Sequence, residues 1–256
     1  DVQDNLRDAE GFIRAAAAQG AMLVATPENT DRMVAQTGLA PAQSYTMETH
    51  PGIPFFAGLA GELKICLLIG SMGIKLDSGK NANRSFLFGP DGARIAQYDK
   101  IHLFDVDLPT GESHRESSRI APGGRAVIAA AAGAKLGLSI CYDLRFAALY
   151  RRLAQQGAQI LCVPSAFTVP TGKAHWEVLL RARAIETGAF VIAPAQTGTH
   201  AGGRKTYGHS MIVGPWGDVL ARADGEPGVM LAELDLDSVA KARAAIPALK
   251  HDRAFD

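Results

Sequence analysis

A chain that repeats its own local pattern restricts its fold more than any average composition can. Gly20-Ala21-Met22-Leu23-Val24-Ala25-Thr26-Pro27 is echoed by Gly157-Ala158-Gln159-Ile160-Leu161-Cys162-Val163-Pro164. In both, Gly-Ala opens an apolar run and Pro closes it at the same spacing. Both follow Ala-rich stretches ending Ala17-Ala18-Gln19 and Ala154-Gln155-Gln156, so each reads as helix, tight turn and buried strand. Further on, Ser85-Phe86-Leu87-Phe88-Gly89-Pro90-Asp91-Gly92 is echoed by Ser210-Met211-Ile212-Val213-Gly214-Pro215-Trp216-Gly217. Each reads as a strand, a Gly-Pro-x-Gly turn and a second strand, that is, a hairpin. Two echoes in the same order favour a duplicated α/β half.

Other apolar runs with strand character lie near Leu63–Ile69, Leu136–Ile140, Ala189–Ala195 and Val229–Leu234. Helical spacing runs through Asp4–Ala18, Leu144–Gln155 and Ala174–Thr187. This alternation predicts an α/β chain in which helices cover one face of each of two sheets packed together. No linker or low-complexity stretch divides it, so residues 1–256 read as one domain. The strand ahead of the second helix also predicts an equivalent strand ahead of Asp4, before the first residue of the sequence.

Charge and cysteine usage narrow the function classes. Lys+Arg number 26 and Asp+Glu 26, and no basic stripe suggests a nucleic acid partner. The longest apolar runs, near Ile65–Gly70 and Val127–Ala132, fall well short of the roughly 18 residues of a membrane span. Cys66, Cys141 and Cys162 are odd in number and show no C-x-x-C spacing, which points to a reducing, cytoplasmic setting. The histidines form no H-x-H or H-E-x-x-H arrangement, so no metal is expected, nor any other cofactor.

The apolar run Lys135–Ile140 ends at Cys141, Asp143 reads as a helix N-cap, and a helical run follows. Cys141 is thereby expected beside a helix N-terminus, where the dipole and free N–H groups favour a thiolate and can bind an oxyanion. Cys66 and Cys162 lie inside apolar runs and read as core. A cysteine nucleophile needs a base and an oxyanion stabiliser. Glu28 follows the first echoed strand, at the kind of strand end where α/β ligand sites gather. Alone, Lys100 reads as a surface lysine and Glu116 as a solvated loop residue. Arg145 follows Cys141 by about one helical turn and is a candidate partner for a substrate carboxylate, as are Lys173, Arg181 and Arg183.

Ala25-Thr26-Pro27-Glu28-Asn29, Tyr98-Asp99-Lys100-Ile101-His102-Leu103-Phe104 and Leu138-Ser139-Ile140-Cys141-Tyr142-Asp143-Leu144-Arg145-Phe146 resemble the three signature segments of the carbon–nitrogen hydrolase (nitrilase-like) superfamily. The resemblance continues through Pro164–Thr168, Ala174–Glu186, Tyr207–Met211 and Pro215–Gly217. It implies a four-layer α-β-β-α sandwich that forms a homodimer through its helices. It also implies a triad: Glu28 as general base, Lys100 as cationic stabiliser and Cys141 as nucleophile. Glu116 matches the family's second glutamate, which helps position substrate and lysine. Tyr142, Arg145, Phe167 and Thr168 are the candidate substrate-binding residues. The implied reaction is hydrolysis of an amide to acid and ammonia through a thioester, and Arg145, Lys173, Arg181 and Arg183 point to a small carboxylate-bearing one. Tyr142-Asp143 differs from the Trp-Glu that follows the cysteine in true nitrilases. The His175–Glu186 and Tyr207–Gly217 stretches look most like the deaminated-glutathione amidases of the Nit branch. In its ω-amidases, which act on α-ketoglutaramate or succinamate, Gly is expected at Ala182 and Asp-Asn at Glu186-Thr187. A Cys–His hydrolase using His175 or His209 is one rival, and a non-catalytic scaffold or binding subunit is another.

Overall fold

The computed structural model describes residues 1–33 and 44–254. The first helical pattern becomes α1 (Val2–Ala18), whose N-cap Asp1 accepts from the Asp4 N–H at 2.9 Å. Its buried residues include Leu6 and Ile13, at one-heptad spacing on one face. The chain turns at Gly20, at φ +89°, a conformation suited to glycine. There follow β1 (Leu23–Ala25), α2 (Gly52–Leu63), β2 (Cys66–Lys75), β3 (Asn81–Phe88) and β4 (Arg94–Asp99). These strands form one sheet in the order β1-β2-β3-β4. Side-chain alternation along β2 serves two cores. Leu67 and Ile69 pack with Leu6, Ile13 and Phe56 on the helix side, whereas Cys66 and Leu68 join Leu136, Leu138 and Leu161 of the second sheet.

The small hairpin β5 (Asp105–Asp107) and β6 (Ser113–Arg115) leads into the second half. That half comprises β7 (Val127–Ala131), β8 (Ala134–Leu138), α3 (Ala147–Gln155), β9 (Ile160–Cys162), α4 (Val169–Thr187) and β10 (Phe190–Ala193). It continues with a hairpin of β11 (Thr197–Thr199) and β12 (Lys205–Tyr207), then β13 (Met211–Val213), β14 (Val219–Arg222) and α5 (Asp237–Ala245). The second large sheet has the order β14-β13-β10-β9-β8-β7.

The echoed segments occupy equivalent places. β1–β2–β3–β4 pair as parallel, antiparallel, antiparallel, and so do β9–β10–β13–β14. Gly157 turns at φ +98°, matching Gly20. In the two hairpin turns Gly89 N–H donates to Ala93 O and Gly214 N–H to Asp218 O, both at 2.8 Å. β7 and β8 have no counterpart among the described residues of the first half. The halves are stitched by Gln196, whose Nε2 donates to the carbonyls of Glu28 at 3.0 Å and Asn29 at 3.3 Å.

Two local expectations are corrected. Val229–Leu234 forms no strand: its exposure alternates, but among the described residues no neighbouring strand supplies ladder bonds. The helical run expected over Leu144–Gln155 is broken, because Cys141–Arg145 is a 3₁₀ turn and α3 begins only at Ala147. No helix among the described residues is long and apolar enough to cross a membrane.

Candidate active site

Both halves send strand ends and loops to one cavity of about 630 Å³. The first half contributes Glu28 beyond β1, Asn83 from β3 and Lys100 just past β4. Glu116 enters from the 3₁₀ turn after β6. The second half contributes Cys141 beyond β8 and Ala166 beyond β9.

Lys100 Nζ lies 2.9 Å from Glu28 Oε1 and 2.9 Å from Glu116 Oε2. Asn83 Nδ2 donates to the same two carboxylates, at 2.9 Å to Glu28 and 3.2 Å to Glu116. Phe104 N–H holds Glu116 Oε2 at 2.7 Å. Glu28 and Lys100 are almost wholly buried, at 3% and 2% exposure, so neither charge is tolerable without the other. Burial alone would raise Glu28, but the charge and hydrogen bond of Lys100 prevail and hold it below its ordinary 4.5. Burial would likewise lower Lys100, and the adjoining Glu116 and Glu28 instead keep it well above 10.5. At neutral pH the cluster therefore holds an ammonium between carboxylates.

Cys141 sits at φ +49° and its N–H donates to Pro164 O at 2.9 Å. Its thiol hydrogen-bonds Glu28 and accepts from the Ala166 N–H. Burial, reinforced by the Glu28 charge, pushes the thiol well above its ordinary 9.0, against the pull of Lys100. This corrects the expectation of a dipole-stabilised thiolate. The residue lies in a short buried turn beside a carboxylate, not at the start of a long helix, and both surroundings disfavour the thiolate.

Asp143 is likewise not the N-cap of α3. Its fully buried carboxylate accepts from Ile140 N–H at 2.9 Å, Tyr98 Oη at 2.7 Å and His102 N–H at 2.9 Å, and lies 2.7 Å from His102 Nδ1. Tyr98 and His102 flank Lys100, so Asp143 clasps the lysine segment to the cysteine turn. Tyr98 and His102, spaced two residues to either side of Lys100, were the sequence signal for this clasp.

Tyr142, Arg145, Phe167 and Thr168 all line the cavity. The Arg145 guanidinium lies 5.8 Å from the Tyr142 ring centre and 5.5 Å from that of Phe167. The other cations proposed for a carboxylate do not line it. Arg181 Nε donates to Gly217 O at 2.7 Å, Arg183 Nε donates to Leu144 O at 2.9 Å, and Lys173 is exposed elsewhere on α4. Nor do His175 or His209, the bases of a Cys–His alternative, line it. Asn83 and Arg204 were not singled out in the sequence, because each lies in no local motif, and Ala166 was quoted in the Pro164–Thr168 segment without a role. Arg204 stands before β12 and its Nη2 donates to Ala166 O at 3.0 Å.

The sequence model of the carbon–nitrogen hydrolase family matches residues 1–244. This chain belongs to the carbon–nitrogen hydrolase family. A deaminated glutathione amidase of Synechocystis sp. is 41% identical over 98% of this chain and 93% of its own length. The omega-amidase of Homo sapiens is 38% identical over 98% of this chain and 90% of its own. The crystal structure of the C. elegans NitFhit protein superposes with a TM-score of 0.90 at 37% identity over 99% of this chain, which spans 62% of that protein. The carbon–nitrogen hydrolase described here is an amidase of the nitrilase superfamily that acts on linear amides, which sets aside the scaffold alternative.

Proposed function

We propose that this amidase uses Cys141, Glu28 and Lys100 to hydrolyse a small carboxylate-bearing amide of the deaminated-glutathione type. The observation that carries this reading is the buried Glu28–Lys100–Glu116 cluster beside the Cys141 thiol in a single cavity. Cys141 Sγ attacks the amide carbonyl carbon as its proton passes to Glu28, and the carbonyl π pair moves onto oxygen. Lys100 and the Tyr142 N–H stabilise that oxyanion. As Lys100 shares its charge with the oxyanion, Glu28 loses part of what depresses it and becomes a stronger base. The C–N bond then breaks, the leaving nitrogen takes the proton from Glu28, and a thioester remains. Glu28 next deprotonates a water that attacks the thioester, and the returning thiolate takes that proton.

The leaving group depends on the amide. Succinamate releases ammonia, whereas in deaminated glutathione the acyl group sits on the cysteinylglycine nitrogen and that amine is released. The ω-amidase alternative keeps support from the 38% identity to the human enzyme. The residues that favoured the glutathione branch, Ala182, Glu186 and Thr187, do not line the cavity. The test is a panel of deaminated glutathione, α-ketoglutaramate, succinamate and the nitrile matching succinamate, read as acid product. The highest kcat/KM is expected for deaminated glutathione and the lowest for the nitrile. Preference for α-ketoglutaramate would establish the ω-amidase reading instead.

The architecture is read as one domain over 1–256, a four-layer α-β-β-α sandwich built from a pseudo-repeat. The two cores and the recurring strand pairing support it. A homodimer through the helices is supported by exposed Val178 and Ile185 on one face of α4, beside exposed Trp216. A monomer mass by sedimentation at micromolar concentration would refute it. The three free cysteines support a cytoplasmic setting.

A further inference from the structure

We propose that Arg204 determines specificity by receiving a second substrate carboxylate, distinct from the one assigned to Arg145; this rests on the carboxylate-bearing amide reading above. The Arg204 guanidinium lines the cavity. Its Nη2 is held by Ala166 O, while its Nε is buried and has no hydrogen-bond partner among the described residues. Among the described residues no Asp or Glu pairs with it. Three other cavity cations are engaged. Arg115 binds Asp107 through Nη2 at 2.9 and 2.8 Å, Lys80 Nζ donates to Ser117 O at 2.8 Å, and Lys100 serves the glutamates. A partly desolvated guanidinium without an anion is unfavourable, and a carboxylate offers the two oxygens that match its fork.

The placement suits a ligand in the reacting position. Arg204 binds the carbonyl of Ala166, the residue whose N–H reaches Cys141 Sγ. Arg145 lies against the ring of Phe167, the next residue. Two guanidiniums free of carboxylate partners thus attach to consecutive residues beside the nucleophile. An amide with a carboxylate on its acyl part and another on its leaving group supplies one anion for each.

Arg204 also bears electrostatically on Glu28 and braces Ala166. Either of those roles alone would alter all substrates alike, so the readout is a ratio. The kcat/KM for deaminated glutathione, with two carboxylates, is divided by that for α-ketoglutaramate, with one. Arg204→Ala is expected to lower this ratio roughly ten- to a hundredfold, the loss of one charge-assisted contact. Arg204→Gln, whose amide can still donate to Ala166 O, should lower it similarly, and Arg204→Lys should recover part of it. Arg145→Ala should leave the ratio within about twofold, because both substrates carry the carboxylate it takes. A parallel fall of both substrates in Arg204→Ala and Arg204→Gln, or an unmoved ratio, overturns the assignment while leaving the carboxylate reading intact. If the wild-type enzyme hydrolyses the dimethyl ester of deaminated glutathione as fast as the free acid, the carboxylate reading fails and the role of Arg204 falls with it.

Discussion

β1 and its echo β9 end in the same way and then diverge. Thr26 N–H donates to Leu68 O and Val163 N–H to Ile192 O, both at 2.9 Å, and a proline follows each. Beyond the proline the first half presents Glu28, which reaches Lys100, Asn83 and Cys141. The second presents Ser165, whose hydroxyl turns back to Val163 O at 3.0 Å. The backbone therefore fixes where a strand end points, and one side chain decides whether chemistry or packing stands there. On the mechanism proposed above neither half is competent alone, since the first carries Glu28 and Lys100 and the second Cys141.

The sharpest way to break this comparison is to substitute the diverged positions. Cys141→Ala should lower kcat on the order of 10⁴-fold or more, and Glu28→Gln should approach that loss. The double variant should be little worse than either single one, because the groups act as a unit. Ser165→Ala should leave kcat within about threefold, since a structural hydrogen bond contributes only about 1 kcal/mol, felt mainly in stability. Steady-state rates on succinamate, with melting curves as a control for folding, would decide it. A Ser165→Ala loss as large as that of Glu28→Gln would show that the halves are not specialised in this way.

The clasp between the halves should come next. Asp143→Asn keeps the shape but loses the charged acceptor of four contacts, so unfolding free energy should fall by about 1.5–3 kcal/mol. Turnover should fall with little change in KM, and Cys141 alkylation by iodoacetamide should change rate. Unaltered kcat in the folded variant would make Asp143 purely structural.

The echoed turns give a smaller and more quantitative contrast. Gly92 and Gly217 both have positive φ, at +79° and +89°. A Cβ on Gly92 would lie 2.7 Å from the Ala57 carbonyl oxygen, whereas one on Gly217 would meet a side chain, Cγ1 and Cδ1 of Ile185 at 2.6 Å, which can turn aside more easily than backbone. Gly92→Ala should thus cost about 1–3 kcal/mol and Gly217→Ala about 1 kcal/mol. Urea midpoints would show the order, and equal costs would mean that the Ala57 backbone yields.

The mildest effect should appear on acidification. The folded-state pKa of Glu28 lies below 4.5, so its stabilising contribution is complete above 4.5 and lost as pH falls through the depressed value. The stability advantage of wild type over Glu28→Gln should be flat near neutrality and shrink below pH 4.5. The corresponding comparison with Ser165→Ala should show no such acid limb. A constant wild-type advantage over Glu28→Gln down to pH 3 would contradict the depressed carboxylate.

Glu28, Lys100, Cys141 and Glu116 were legible because each sits in a run whose local order is itself constrained: a strand end, a post-hairpin segment or a turn. Both hairpins were legible because a Gly-Pro-x-Gly turn prints its geometry in four residues. Arg204 was not, since a guanidinium in a Gly-rich loop gains its meaning from a carbonyl 38 residues earlier. Arg183 misled for the opposite reason. Helical spacing cannot say which face an arginine takes, and this one lies over the Tyr150 ring, 5.5 Å from its centre, away from the cavity. The upward push on the Cys141 thiol escaped because dipole reasoning assumed a long helix at Cys141, where the chain makes a single tight turn.

The Gln196 bond to the Glu28 carbonyl joins residues 168 apart in sequence. Such a contact forms late, because a long loop must close before it is rewarded. At synthesis rates of about 5–20 residues per second, a nascent chain waits roughly ten to thirty seconds between making Glu28 and making the residue that pins it. Throughout that interval Glu28 and Lys100 exist without the side chain that ties their half to the other.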